Sequence, residues 1–491
     1  VSYHSLQFLL FLPLVFALYW AIADRAEPRK WLLLAASVVF YAAYNPWSLL
    51  LVLTSVTIDW ALARQLERTA DPKRRKTLVT ISIATNVGVL ASFKYTNLFV
   101  ETIADLLGRV SGGAREGFLA LVAKVGGLFG LTLKGTALDI LLPVGLSFVV
   151  FQMLSYTIDV YRKKTRAESS WRNVVVYALF FPRVVAGPIL RAGDFFPQLE
   201  QTPRLSPSDG TRALLRVAKG ITKKLLIADF LSANLIDRVF ATPHVYMPLE
   251  IWGAVFAYSL QIYYDFSALS DIALGAAGLL GIKLKENFDR PYKATNLPEF
   301  WQRWHMSLST WLRDFLYIPL GGNRGGILST MRNVIITMTV GGIWHGANWR
   351  MALWGFMHGC GLALTRLYWK KVGMPTGQEP LWRKALGFTI TMLFVVLARI
   401  YFRASSMQNA HEVFAGLFGD SLAAPNLTPQ VLGVMAAATA LHFTPPNTWD
   451  RISATFQRLP VPVRAAALVA LAVVVKKVAS FEAQPFIYLQ F

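Results

Sequence analysis

The residue best suited to acid–base work in this 491-residue chain is His345. It follows Asn333–Trp344 (NVIITMTVGGIW), a run without an ionisable side chain, and lies 13 positions beyond Arg332. As helix, that separation is roughly 20 Å at about 1.5 Å per residue. The imidazole then sits inside a hydrocarbon zone, beyond the snorkelling range of charges on that side. Ionisable groups at such depth are costly and mark a function by default. A neutral imidazole there can take up a proton at pH 7. Two readings follow, a general base and a helix–helix hydrogen bond, and the base is preferred. Gly341, Gly342 and Gly346 loosen the helix around it or let another backbone come close.

A second histidine, His305, lies in the polar, aromatic stretch Asn287–Gly326 (NFDRPYKATNLPEFWQRWHMSLSTWLRDFLYIPLGGNRGG). Asn296 can cap a helix, with Pro298 in its first turn and Glu299 three residues after the cap. Phe300, Trp304, Leu308, Trp311 and Phe315 follow at spacings of three and four, which predicts one amphipathic helix at a membrane interface, with Arg303 on another face. Pro319 and the glycines from Gly321 to Gly326 end it. Taken alone, His305 beside Trp304 reads more readily as a hydrogen-bonded structural residue than as a catalyst. The glycine loop around Arg324 is an anion nest or simply a turn. His358 could join His305 and His345 at a metal, but no carboxylate or cysteine stands at ligand spacing, so no metal is expected. His4, His244, His411 and His442 read as surface or cap residues. Asp265 and Asp271 look buried in a membrane segment, either as structural hydrogen bonds or as holders of a polar partner.

The elements that carry these groups are membrane elements. Hydrophobic residues make up 54% of the chain and charged residues 16%, against about 25% charged in soluble domains. An ordinary soluble enzyme and a disordered chain are both excluded. Lys and Arg number 49 against 28 Asp and Glu, a net charge of +21. The excess lies in short loops between apolar runs, where it sets membrane orientation and meets anionic lipid, so nucleic acid is not the expected partner. The fold class is all-α, a polytopic integral membrane protein with about 11–12 membrane helices plus interfacial and re-entrant helices. Residues 1–23 form a retained first span. Further segments are 31–44, 47–62, 77–93, 139–160, 173–190, 249–280 as a broken pair, 328–347, 349–369, 385–402, 428–443 and 464–479. The loops 24–30 and 64–76, the run 162–172 and the loop 282–327, with seven basic and four acidic residues, should face the cytoplasm, and 94–138 the outside. Residues 211–227 form a basic amphipathic helix lying on lipid. The single cysteine, Cys360, excludes a disulfide and is expected to pack inside.

The run WQRWHMSLSTWLRDFLYIPLGGNR (Trp301–Arg324) followed by GGIWHGANW (Gly341–Trp349) resembles the membrane-bound O-acyltransferase family. FFPRVVAGPILR (Phe180–Arg191) and YYDFSALSDIALG (Tyr263–Gly275) agree with it, and FLLFLPLVFALYW (Phe8–Trp20) resembles its bacterial, alginate O-acetyltransferase-like branch. The resemblance spans residues 5–370. It implies an enzyme core over 1–403, with a cytoplasmic catalytic loop 282–327 and an intramembrane histidine segment 328–347, and a membrane-helix extension over 404–491. The family's two functional histidines fall on His305 and His345, the second as base in a tunnel between a cytosolic donor and an outer-face acceptor. Phe315 departs from the tyrosine of many relatives, so no role rests on a hydroxyl there.

What the resemblance implies is O-acetyl transfer. His345 would deprotonate a hydroxyl as it attacks an acyl thioester, acetyl-CoA as donor substrate, with no bound cofactor. The acceptor would be a cell-surface polysaccharide such as alginate, reached through an outer-face, SGNH-esterase-like partner protein, and the location the bacterial inner membrane. Arg303, Arg324, Lys285 and Lys293, with Arg290, gather where coenzyme A phosphates would arrive, as donor contacts or as topology signals. D-alanyl or other acyl transfer to a cell-wall polymer or lipid is the alternative within the family. A transporter or flippase is the alternative outside it, although few membrane-embedded charges besides Asp265 and Asp271 support a pathway.

Overall fold

The computed structural model describes residues 5–375 and 377–478. Helix follows helix: α1 Leu6–Ala21, α2 Ala26–Ala42, α3 Pro46–Arg68, α4 Pro72–Leu90, α5 Thr96–Val110, α6 Gly112–Leu128, α7 Leu146–Tyr161, α8 Trp171–Leu179, α9 Ala192–Glu200 and α10 Pro207–Thr222. Two short pieces, α11 Asp229–Leu231 and α12 Asp237–Ala241, lead to α13 Pro248–Leu279, α14 Leu297–Arg303 and α15 Met306–Leu312. The chain continues through α16 Gly326–His345, α17 Trp349–Val372, α18 Leu381–Arg403, α19 Met407–Gly416, α20 Pro429–His442, α21 Thr448–Arg458 and α22 Val461–Val478. Among the described residues the only strand pairing joins β1 Leu133–Lys134 to β2 Ala137–Leu138. The protein is all-α and crosses the membrane several times. Pro46–Arg68, Pro72–Val110, Gly326–His345 and Leu381–Arg403 are long and apolar enough to span it. The remaining segments expected from sequence each contain helix, although the one expected over 139–160 is helical only from Leu146. His4 and the end of the last expected segment lie outside the described residues.

Several expectations change. Residues 249–280 form one continuous helix, α13, because Asp265 and Asp271 are satisfied by cations from the preceding chain and no break is needed. Asp271 accepts Arg216 at 3.0 Å, Lys219 at 3.1 Å and Lys223 at 2.8 Å. Lys224 bridges Asp265 at 3.0 Å and Asp229 at 2.8 Å. The same pairs overturn the lipid-lying reading of 211–227: α10 docks its basic face on α13. The span expected over 173–190 stops at Leu179, and Phe180–Leu190 is a buried, non-helical turn. Cys360 is partly exposed rather than buried.

The α16–α17 hairpin holds the histidine segment. A Cβ on Gly342 would meet Gly355 Cα at 2.9 Å, so the two backbones touch only because both residues are glycine. That contact sets the closing turn Gly346–Asn348, and with it the end of α16 where His345 stands.

Candidate active site

The helix expected over 297–315 is broken at His305. Asn296 caps α14 as expected, accepting Glu299 N–H at 2.9 Å. The helix ends at Arg303, and His305 adopts a left-handed backbone, φ +42° and ψ +52°, before α15 begins. Such a backbone is uncommon outside glycine and costs of order 1–3 kcal/mol, so surrounding contacts must hold it. They come from Asn287–Asp289. Met306 N–H donates to the Asn287 carbonyl at 2.9 Å, and Asp289 N–H to the Arg303 carbonyl at 2.9 Å.

Asn287 also fixes the imidazole. Its Oδ1 accepts Ser307 N–H at 3.1 Å and Ser307 Oγ–H at 2.9 Å, and lies 3.3 Å from His305 Nδ1. A backbone N–H can only donate, which identifies the amide oxygen and makes Nδ1 the protonated nitrogen. Nε2 then carries the lone pair. It is buried and has no hydrogen-bond partner among the described residues.

His345 closes α16 with 3% of its surface exposed. Its ring centroid lies 5.0 Å from Trp344, 5.5 Å from Trp354, 5.5 Å from Phe402 and 6.3 Å from His305. Two histidines forty positions apart in sequence therefore share one aromatic chamber. Trp344 Nε1 and Trp354 Nε1 are buried there without acceptors among the described residues, so the chamber offers donors to a polar guest. His358 does not join the pair: its Nδ1 accepts Trp301 Nε1–H at 3.3 Å. Among the described residues no His, Cys, Asp and Glu cluster could hold a metal.

One cavity reaches His345, and a second borders the residues that follow His305. The first, about 120 Å³, is lined by His345, Trp344, Phe148, Lys94 and the turn Leu142–Ser147. The other, about 650 Å³, is lined by Met306, Ser307, Thr310, Arg313, Asp314, Lys283, Lys285 and the 188–198 segment. The buried turn after α8 lies between them, Val185 facing the first and Ile189 to Arg191 the second. Tight packing holds that turn: a Cβ on Gly145, at φ +71°, would meet the Val184 carbonyl oxygen at 2.6 Å. Arg191 pairs with Asp314 at 3.0 Å and lies 4.4 Å from the Phe315 ring centroid. An aromatic face serves there without a hydroxyl.

The basic residues named from sequence are split. Lys285 lines the large cavity, pairing with Asp194 at 2.6 Å. Arg303 is held by Asp289 at 2.9 Å and Glu299 at 3.1 Å. Lys293 reaches the carbonyls of Phe443 and Thr444, both at 3.3 Å, and Arg324 is exposed in the glycine loop. The cations beside Lys285 are instead Lys283, Arg191 and Arg313. Sequence reasoning also passed over Asn287 and Lys94. The depth of Lys94 beyond a long apolar run was a signal of the kind that found His345.

Residues 162–408, which carry both histidines, match the model of the membrane-bound O-acyltransferase family. The chain is 35% identical to the probable alginate O-acetylase of Pseudomonas aeruginosa over 437 residues, 87% of this chain and 78% of that protein. The chain belongs to the membrane-bound O-acyltransferase family. It is also 31% identical to the peptidoglycan O-acetyltransferase of Helicobacter pylori, over 83% of this chain and 78% of the relative. With the teichoic acid D-alanyltransferase of Streptococcus thermophilus it shares 29% identity over 55% of this chain and 70% of the other. The protein is thus a membrane-embedded O-acyltransferase, and its paired-histidine chamber is the candidate centre for the transfer.

Proposed function

We propose that this O-acyltransferase moves an acetyl group from a cytosolic thioester, acetyl-CoA, to hydroxyls of a cell-surface polysaccharide, working in the bacterial inner membrane and through an outer-face partner protein. The observation that carries the reading is the His305–His345 pair, with one cavity reaching His345 and a second bordering Met306 and Ser307, the residues that follow His305. Names of relatives that act on alginate and peptidoglycan support a polymer acceptor.

In this reading the donor occupies the larger cavity, where Lys283, Lys285, Arg191 and Arg313 suit phosphate groups, and the acceptor hydroxyl enters the smaller one. His345 takes the hydroxyl proton as oxygen attacks the thioester carbonyl. The C–O bond forms, the C–S bond breaks, and the proton passes from the imidazolium to the departing thiolate. His305, fixed by Asn287, turns Nε2 toward the chamber and orients or polarises the reacting groups. The buried indole N–H groups of Trp344 and Trp354 are available to the developing oxyanion.

His345→Ala tests the base. The expected loss is about 10²–10⁴-fold in transfer from acetyl-CoA, with the detergent melting temperature nearly unchanged. Retention of more than about a tenth of wild-type turnover would remove His345 from that role.

A further inference from the structure

The cavity lined by His345 is bordered by a side chain from 251 positions earlier in the chain, Lys94. At the end of α4, Ala91–Tyr95 wind as a π-turn before α5 continues. Such turns redirect the side chains they carry and recur at functional sites. Here the turn aims two of them at the end of α16. Lys94 Nζ donates to the Trp344 carbonyl at 2.6 Å and the His345 carbonyl at 3.3 Å. Tyr95 Oη donates to the Ile343 carbonyl at 3.3 Å. The last carbonyls of a helix lack intrahelical donors and attract a cation.

Capping alone does not account for Lys94. Burial desolvates this ammonium and among the described residues no carboxylate pairs with it, which makes it a costly cap. It also lines the His345 cavity itself and lies 5.8 Å from the Trp344 ring centroid. Two of its three protons serve the α16 carbonyls, which leaves one donor for the cavity. The next turn extends the same platform. Asn97 Nδ2 donates to the Leu138 carbonyl and Leu138 N–H returns to Asn97 Oδ1, both at 2.9 Å, tying down the β2 strand that precedes the Leu142–Ser147 cavity wall.

We propose that Lys94 is a positioning residue for acyl transfer: together with Tyr95 it clamps the last turn of α16 and so sets the direction in which His345 meets the acceptor. This rests on His345 acting as the base. Neither Lys94 nor Tyr95 lines the larger cavity, which the proposed function gives to the donor, so the clamp acts on the chemical step and leaves donor binding alone.

The test uses the full chain in detergent and follows thiol release from acetyl-CoA, with His345→Ala in parallel. Lys94→Met keeps the length and the apolar stem while removing the donors. It should lower kcat about 10–100-fold, the scale of a misplacement near 1 Å, with donor KM unchanged. Lys94→Arg, which can reach the same carbonyls, should recover most of that loss, and Tyr95→Phe should show a smaller one. An unchanged kcat for Lys94→Met overturns the proposal. So does an effect confined to donor KM, or a loss that vanishes at temperatures where wild type and variant are equally folded, which would leave Lys94 a helix cap. If wild-type protein and His345→Ala release thiol at the same rate, the acyl-transfer reading fails first and the proposal falls with it.

Discussion

His305 stands on a backbone that most side chains avoid, and one neighbour makes this possible. Asn287 receives Ser307 and faces His305 Nδ1 through a single oxygen, while its own carbonyl receives Met306. Replacing it with Leu leaves the buried imidazole N–H, and the partly buried Ser307 N–H, without that acceptor. Each orphaned buried donor costs about 1–3 kcal/mol. Asn287→Leu should therefore lower the melting temperature and cut activity beyond what the unfolded fraction explains, because His305 is freed to turn. Asn287→Asp keeps an acceptor oxygen and should retain much more of both. Activity per folded molecule, read from thiol release and melting curves at one temperature, separates the two effects. Equal activity in the Leu variant would show that the orientation of His305 is immaterial.

At the scale of elements, the basic helix is a structural partner of the core. Asp271 is buried and meets three cations from α10 and the turn after it. Asp271→Asn keeps the shape but leaves Lys219 and Lys223 without their counter-charge, while Arg216 keeps Glu286. Removing one partner of a buried ion pair costs about 3–5 kcal/mol. The variant should melt earlier or accumulate poorly, whereas Arg212→Gln, on an exposed part of the same helix, should change little. Thermal denaturation in detergent checks both. If Asp271→Asn melts like wild type, α10 is held by its close backbone contacts with α13 at Gly220 and Gly275 and the charges are incidental.

For the whole molecule, orientation and donor access are linked. In a Cys360→Ala background, needed because the native thiol is partly exposed, a thiol placed at Ser111 should react with an impermeant reagent on intact cells, and one at Ser329 should not. The opposite pattern inverts the topology and with it the sidedness of transfer. Charge reversal in the large cavity, Lys283→Glu or Arg313→Glu, should raise donor KM with little change in kcat, the signature of lost ground-state binding. Each should also make the reaction less sensitive to added salt, since one screened attraction is gone. Reversal of Arg303, already occupied by Asp289 and Glu299, should have the smaller effect. A larger KM change at Arg303 than at Lys283 or Arg313 would move the donor away from this cavity.

The sequence by itself determined what depends on neighbours along the chain. Apolar run lengths and basic loops required a helical, membrane-crossing protein, the Asn296 cap followed from its side chain and Glu299, and the uncharged run before His345 placed that residue deep. Motif order pointed to His305, His345 and the family. Only the tertiary structure decided how these parts meet. The heptad-like stripe from Phe300 to Phe315 predicts an unbroken helix, because periodicity cannot register Asn287 pulling at His305 from 18 positions away. Nor can it report that Lys94 reaches the His345 carbonyl across 251 positions, or that the charges lining the large cavity differ from those clustered in sequence. Local propensity is written residue by residue, whereas a chamber shared by two histidines forty positions apart is made by contacts whose partners the chain brings together only when it packs.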